Sequence, residues 1–263
     1  MKKLMITAAA ALCATLAVNA EGVESGIVGY KTDTIAKGST KIYSVQYDNL
    51  GETTAIPIRS LIQYISPSAP KGGTNVKGGG ADQIWTYKND SWQKYYYNSK
   101  GKVWCAFDTS TQVSADVTVS TGDSFFFQRS SDASGAADIT FSGAVKALDL
   151  SVPVTVGKGS TVMLCNPWPI DLPVKNFKNL YTNPKGGTNV KGGGADQVWT
   201  YKNDSWQKYY YNSKGKVWCA FDTSAEVSSD TVIEPGVGFF FQRSSDASGD
   251  CTLNFKGPNY VEE

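Results

Sequence analysis

The sequence predicts an all-β protein of two tandem homologous modules, each a β-sandwich-like fold or small barrel with room for one short helix. Three observations carry this. The composition favours strands and turns, with 26 Gly, 14 Tyr, 11 Phe and 7 Trp but 3 Met. A long internal repeat divides the chain. Within each copy, short alternating or β-branched runs are separated by Gly, Asn, Asp and Ser clusters.

The repeat comes first, because self-similarity decides how the rest is read. Lys71 to Ser110 recurs as Lys185 to Ser224, 39 of 40 positions being identical, and the one change is Ile84 to Val198. Phe125 to Gly135 recurs unchanged as Phe239 to Gly249. Upstream, Lys37-Gly38-Ser39-Thr40 matches Lys158-Gly159-Ser160-Thr161, and Ile56-Pro57-Ile58-Arg59 matches Leu172-Pro173-Val174-Lys175. The modules therefore run over 22–144 and 145–263.

Residues 1–20 read as a signal peptide. Met1-Lys2-Lys3 is a basic start, Leu4 to Val18 is uncharged, and Val18-Asn19-Ala20 suits cleavage before Glu21. The apolar run is too short for a mature membrane span. A secreted location (periplasmic, cell-surface or extracellular) without membrane insertion is the expectation. Lys and Arg number 25 against 24 Asp and Glu, and losing Lys2 and Lys3 with the leader keeps the balance near zero. A nucleic-acid partner is not expected, since phosphate neutralisation needs a basic excess.

Within the first module the expected strands are Tyr43–Tyr47, Gln83–Lys88, Trp92–Tyr97, Val103–Phe107, Val117–Ser120, Ser124–Gln128 and Ile139–Phe141. Ile58, Leu61, Ile62 and Ile65 follow helical spacing behind Pro57, which places the short helix. Asn89-Asp90 and Asn98 to Gly101 are turns. The first sets Tyr87 opposite Trp92, Trp85 opposite Lys94 and Ile84 opposite Tyr95. A four-residue second loop sets Tyr95 opposite Trp104 and Tyr96 opposite Val103.

Alternation then sorts side chains onto two faces. One collects Trp85, Tyr87, Trp92, Tyr96, Val103, Cys105 and Phe107 and is expected to be the core. The other carries Ile84, Thr86, Gln93, Tyr95, Tyr97 and Trp104 among polar residues, repeated as Gln207, Tyr209, Tyr211 and Trp218. An exposed aromatic row flanked by Gln, Lys and Thr is a way to hold a sugar ring. Packing under a loop, against the other module, or as cross-strand pairs is the competing account.

Four cysteines remain after cleavage, in a compartment that permits disulfides. Cys105 and Cys219 are repeat equivalents on the expected core face and read as buried free thiols. Cys165 and Cys251 stand where the first module has Ser44 and Ala137, so a Cys165–Cys251 disulfide is expected.

The chain has no His, which excludes Ser–His–Asp and Cys–His catalysis and the usual zinc sites. Asp82, Asp90, Asp108, Asp123 and Asp132 are available for carboxylate chemistry. However, Asp123 becomes Val237 in the copy, and the others fit turns. No enzyme activity, metal or cofactor is expected. The glycine-rich Lys71 to Gly80 lacks the Gly-Lys-Ser/Thr ending of a phosphate loop and precedes a strand, so it reads as a connecting loop. Ser131 to Gly135 offers one carboxylate and reads as a tight turn.

Asp82-Gln83-Ile84-Trp85-Thr86-Tyr87, the Tyr-rich hairpin, Gly122 to Arg129 and Thr140-Phe141-Ser142-Gly143 together resemble the tandem β-repeat modules of secreted bacterial proteins, a resemblance that brings no activity or site residues. The reading is a non-catalytic protein that binds a glycan or cell-surface polymer, two copies raising avidity. The alternative is a structural extracellular or surface-assembly subunit that self-associates.

Overall fold

The computed structural model describes residues 28–45, 55–66, 70–74, 80–88, 90–120, 122–144, 151–188, 194–202 and 205–256. Residues 1–20, expected as a signal peptide, and the middle of the Lys71 to Gly80 loop lie outside the described residues. The fold is all-β, built from several sheets with no closed barrel among the described residues. No helix of the described residues is long and apolar enough to cross a membrane.

In the first half the strands are β1 (Val28–Ile35), β2 (Thr40–Ser44), β3 (Ala55–Pro57), β4 (Ile65–Ser66), β5 (Gln83–Lys88), β6 (Ser91–Asn98), β7 (Val103–Ala106), β8 (Thr118–Ser120), β9 (Ser124–Gln128) and β10 (Ala137–Ala144). The second half has β11 (Val152–Val156), β12 (Thr161–Cys165), β13 (Leu172–Pro173), β14 (Gln197–Lys202), β15 (Ser205–Asn212), β16 (Val217–Ala220), β17 (Val232–Ile233), β18 (Gly238–Gln242) and β19 (Cys251–Phe255). Every sheet draws its strands from one half. The main sheets, β2-β9-β5-β6-β7 and β12-β18-β14-β15-β16, have the same order.

The expected helix is a 3-10 turn in each half, Ile58–Tyr64 and Val174–Asn179. Its buried members Ile58 and Leu61 anchor it to the core. Strand β1, which pairs along its whole length with β10, had no counterpart among the expected strands.

The first hairpin has the expected register, Tyr87 opposite Trp92 and Ile84 opposite Tyr95. The second is displaced by two residues: Tyr97, not Tyr95, faces Trp104, and Asn98 faces Val103. Asn98 Oδ1 accepts from the Lys100 and Gly101 amides, and Lys102 takes φ 53°, which holds the loop beyond Asn98. A shift of two keeps every side chain on its face.

The choice of core face is the reverse of the expectation. Ile84, Thr86, Tyr95, Tyr97 and Trp104 are buried, and their apolar members pack with Tyr43, Phe125, Phe127, Ile139 and Phe141. The cover comes from β3, β8, β10 and the 3-10 turn, whose Ile56, Val119, Ile139 and Leu61 join the same cluster. On the opposite face Trp85 and Tyr87 are half-buried and Trp92 is exposed. Tyr96 and Cys105 stay covered there in a satellite cluster with Ala81.

The Asp-Gln-Ile-Trp and Phe-Phe-Phe-Gln-Arg motifs meet at a buried ion pair, Arg129 Nη1 to Asp82 Oδ2 at 2.6 Å. The Asp82 carboxylate also accepts from the Ser130 amide (2.7 Å) and the Lys71 amide (2.8 Å). The second half repeats it with Arg243 and Asp196 at 2.6 Å, and adds the Tyr181 hydroxyl donating to Asp196 at 2.9 Å. Charges taken out of water persist only when paired and hydrogen-bonded. Gly72 and Gly186 belong to the same seam: a Cβ on either would lie 2.5 or 2.6 Å from the backbone of Ser99 or Ser213. Only glycine lets the Lys71 and Lys185 segments lie against the second hairpin loops.

The expected Cys165–Cys251 disulfide is not formed; Cys105, Cys165, Cys219 and Cys251 are all buried free thiols. Cys251 pairs with Val156, just before the turn that enters β12, while Cys165 ends β12. Four residues of extended strand, at about 3.3 Å each, hold the two thiols apart.

Candidate functional site

The two main sheets meet through reciprocal contacts. Ser44 Oγ donates to the Gly236 carbonyl, and the Cys165 amide donates to the Gly122 carbonyl at 2.9 Å. Ser44 and Cys165 are repeat equivalents, as are Gly122 and Gly236, so these bonds relate the halves by an approximate two-fold. Phe126 and its equivalent Phe240 lie 6.4 Å apart across the same junction. Burial pushes the Cys165 thiol up to about 12.

An axis of this kind breaks the repeat where a residue meets its own copy. Gly238 stands where the first half has Ser124, and a Cβ on it would overlap Ile42 Cγ2 and lie within 3.0 Å of the Ser124 side chain. Ser124 Oγ instead donates to the Leu164 carbonyl at 2.5 Å. Cys165 opposite Ser44 belongs to the same adjustment, since its Sγ faces the Val45 carbonyl at 4.0 Å.

Beside the junction the half-exposed faces of both sheets merge into an aromatic strip. In the first half Trp92 lies 5.0 Å from Tyr87, 6.3 Å from Trp85 and 5.6 Å from Phe126. In the second, Trp206 lies 5.1 Å from Tyr201 and 5.6 Å from Phe240. Phe240 crosses the boundary, 6.1 Å from Trp92 and 5.8 Å from Tyr87. Trp92 is 44% exposed and Trp206 40%, unusual for indoles in a well-packed protein. Lys94 and Lys208 lay their ammonium groups over Trp85 and Trp199, each 4.5 Å from the ring. Desolvation, with Asp90 beside it, pushes the Tyr87 hydroxyl up.

At each end of the strip, where β7 and β16 leave their hairpins, the surface forms a recess. The first, about 450 Å³, is lined by Trp92, Gln93, Lys94, Tyr95, Phe107, Asp108 and Thr109 among others. The second, about 400 Å³, is lined by the equivalent residues from Trp206 to Thr223. Each therefore joins an exposed indole to amide, ammonium, carboxylate and hydroxyl groups.

The expected binding residues divide accordingly. Gln93 and Gln207 are exposed and line the recesses, with Tyr95 and Tyr209 behind them. Tyr97, Trp104, Tyr211 and Trp218 are buried core residues and form no exposed row. Burial pushes the Tyr95, Tyr97, Tyr209 and Tyr211 hydroxyls up; Thr86 and Thr200, bonded to Tyr95 and Tyr209, oppose it. The row fails because aromatic content does not by itself mark a core; the aliphatic Ile84, kept as Val198, marks the covered face. The same ambiguity conceals Trp92, Phe126, Trp206 and Phe240.

The carboxylates considered for catalysis are dispersed. Asp82 is held by Arg129, Asp90 accepts from the Thr161 amide at 2.9 Å, and Asp123 accepts from the Ser120 amide and faces Lys88 at 3.5 Å. No group of metal-ligating side chains occurs among the described residues. Another recess, about 530 Å³, lies between Asn179–Thr182 and Asp250–Lys256. Its one aromatic, Tyr181, is buried with its hydroxyl engaged by Asp196. The strip is preferred over this larger hollow because it presents accessible aromatic surface beside polar groups. No family model and no curated protein matches the chain.

Proposed function

We propose that this is a non-catalytic binding protein, exported by its leader, that holds a glycan or cell-surface polymer on the face bearing Trp92 and Trp206. The observation that carries it is an exposed indole at the mouth of a recess that mixes polar and apolar side chains, present once in each half. A sugar ring offers an apolar C–H face to stack on an indole and a rim of hydroxyls for Gln, Lys, Asp and Thr. Tryptophan supplies large contact area at low conformational cost, and its neighbours set orientation.

Affinity electrophoresis tests this. The protein is run through gels containing hydroxyethylcellulose, laminarin, xylan, galactomannan or dextran, beside a Trp92→Ala/Trp206→Ala variant. Retardation in one of them, lost in the variant with its circular dichroism unchanged, is the expected result. Equal migration of both proteins in all five gels counts against it.

A second reading, self-assembly as a structural subunit, draws on Tyr30. It is 78% exposed on β1, which lies at the edge of its sheet. Light scattering that rises with protein concentration in the absence of polysaccharide, and falls in Tyr30→Ser, would favour it.

A further inference from the structure

We infer that the two halves contribute to one composite groove that takes a single linear polysaccharide chain, rather than carrying two independent sites. This rests on the glycan reading above. The central hollow, about 340 Å³, is lined by Tyr87 and Trp92 from the first half and by Thr161, Trp199, Trp206, Lys208 and Phe240 from the second. Neither half builds it alone.

Phe240, only 6% exposed, forms the floor between the two indoles, 6.1 Å from Trp92 on one side and 5.6 Å from Trp206 on the other, and holds their spacing. Beyond each indole the surface continues into a recess of mixed polar and apolar lining, so the sequence along the face is recess, indole, apolar hollow, indole, recess. A linear chain of sugars, each with an apolar face and a hydroxyl rim, matches that order. A compact ligand would fill one recess and leave the strip bare.

The junction makes the groove a fixed surface. It is pinned by Ser44 to Gly236, Ser124 to Leu164, Cys165 to Gly122 and Asp90 to Thr161. The Asp90 bond holds the tip of the first hairpin against β12, directly beside Tyr87 and Trp92. Modules on a flexible tether gain affinity through effective concentration while each keeps its own site. Halves locked at a buried junction present their contacts to one ligand at once, and the loss of one contact then weakens the whole.

The test is calorimetric titration of the full-length chain with oligosaccharide ladders from the five polysaccharides named above, in parallel with Trp92→Ala, Trp206→Ala and Phe240→Leu. Phe240→Leu removes the ring while retaining apolar volume, and near-ultraviolet circular dichroism reports whether the junction survives. The expected result is one oligosaccharide bound per protein, with affinity that climbs with length until both indoles are reached. Each single variant then loses about tenfold or more in affinity. Two oligosaccharides per protein, with each tryptophan variant losing one and binding the other unchanged, would overturn the composite groove and leave the glycan reading standing. No binding to any of the five ladders overturns both.

Discussion

Replacing Asp82 by Asn tests the buried ion pair that joins the two most conspicuous motifs of the repeat. The substitution keeps the size of the side chain and one acceptor oxygen, but leaves the Arg129 guanidinium, 2% exposed, without its counter-charge at 2.6 Å. Breaking one partner of a buried pair costs about 3–5 kcal/mol. The remaining Arg129 Nε bond to the Gly135 carbonyl, 3.2 Å long, does not compensate for a charge. Arg129→Met strands the carboxylate instead, though two backbone amides still donate to it. The double variant removes both charges and is expected to recover much of either loss, because paired apolar replacement of a buried ion pair is often near neutral. In the second half, Asp196→Asn weakens the Tyr181 bond as well, adding about 1 kcal/mol. Guanidinium unfolding followed by tryptophan fluorescence, with each half allowed its own transition, measures these differences. A loss below about 1 kcal/mol for Asp82→Asn, or a double variant no more stable than the worse single, would refute the account.

Trp104→Ala is expected to cost about 3–5 kcal/mol of stability, since the indole is fully buried; thermal melting checks it, and Trp92→Ala should leave the melting temperature within a few degrees. Gly238→Ser, which restores the residue of the first half, forces a side chain onto Ile42 and Ser124 at the junction; a loss of about 1–3 kcal/mol is expected in chemical unfolding, and Ile42→Ala in the same chain should relieve part of it. Alkylation without reductant should label Cys105, Cys165, Cys219 and Cys251 in the unfolded chain and leave them unlabelled in the folded one, read by peptide mass mapping. The same thiols make stability pH-dependent. Burial raises Cys165 from 9.0 to about 12 and Cys251 to about 11, so the folded state holds protons that the unfolded state releases first. Their stabilisation is complete below pH 9 and is lost as pH rises through the folded values; Cys165→Ser should flatten the fall in unfolding free energy between those limits.

Much of the local architecture was legible in the chain. Gln83–Lys88 and Ser124–Gln128 are strands over the residues that alternation indicated, and the first hairpin pairs Trp85 with Lys94 because a short turn leaves little choice of register. The second hairpin is displaced because Asn98 ends the strand and its side chain, with the positive φ of Lys102, holds the loop beyond it, a geometry that composition does not specify. The site is legible in part: the sequence points to Gln93 and Gln207, which line the recesses, but its alternation sets Trp92 and Trp206 on the side expected to be covered.

Composition, the internal repeat and alternation already show that the protein is all-β, that it repeats, and which side chains share a face of each hairpin. Alternation is a property of the strand alone and needs no partner. Which face is covered depends on long-range packing, because the cover arrives from β3, β8, β10 and the 3-10 turn, most of them far from the hairpin in sequence. The tertiary structure likewise decides that Asp82 meets Arg129, 47 residues on, and that Gly238 and Cys165 depart from their copies because each meets the other half of the molecule. Burial is a property of what packs on a surface, and two surfaces of similar apolar content are told apart by what lies across from them.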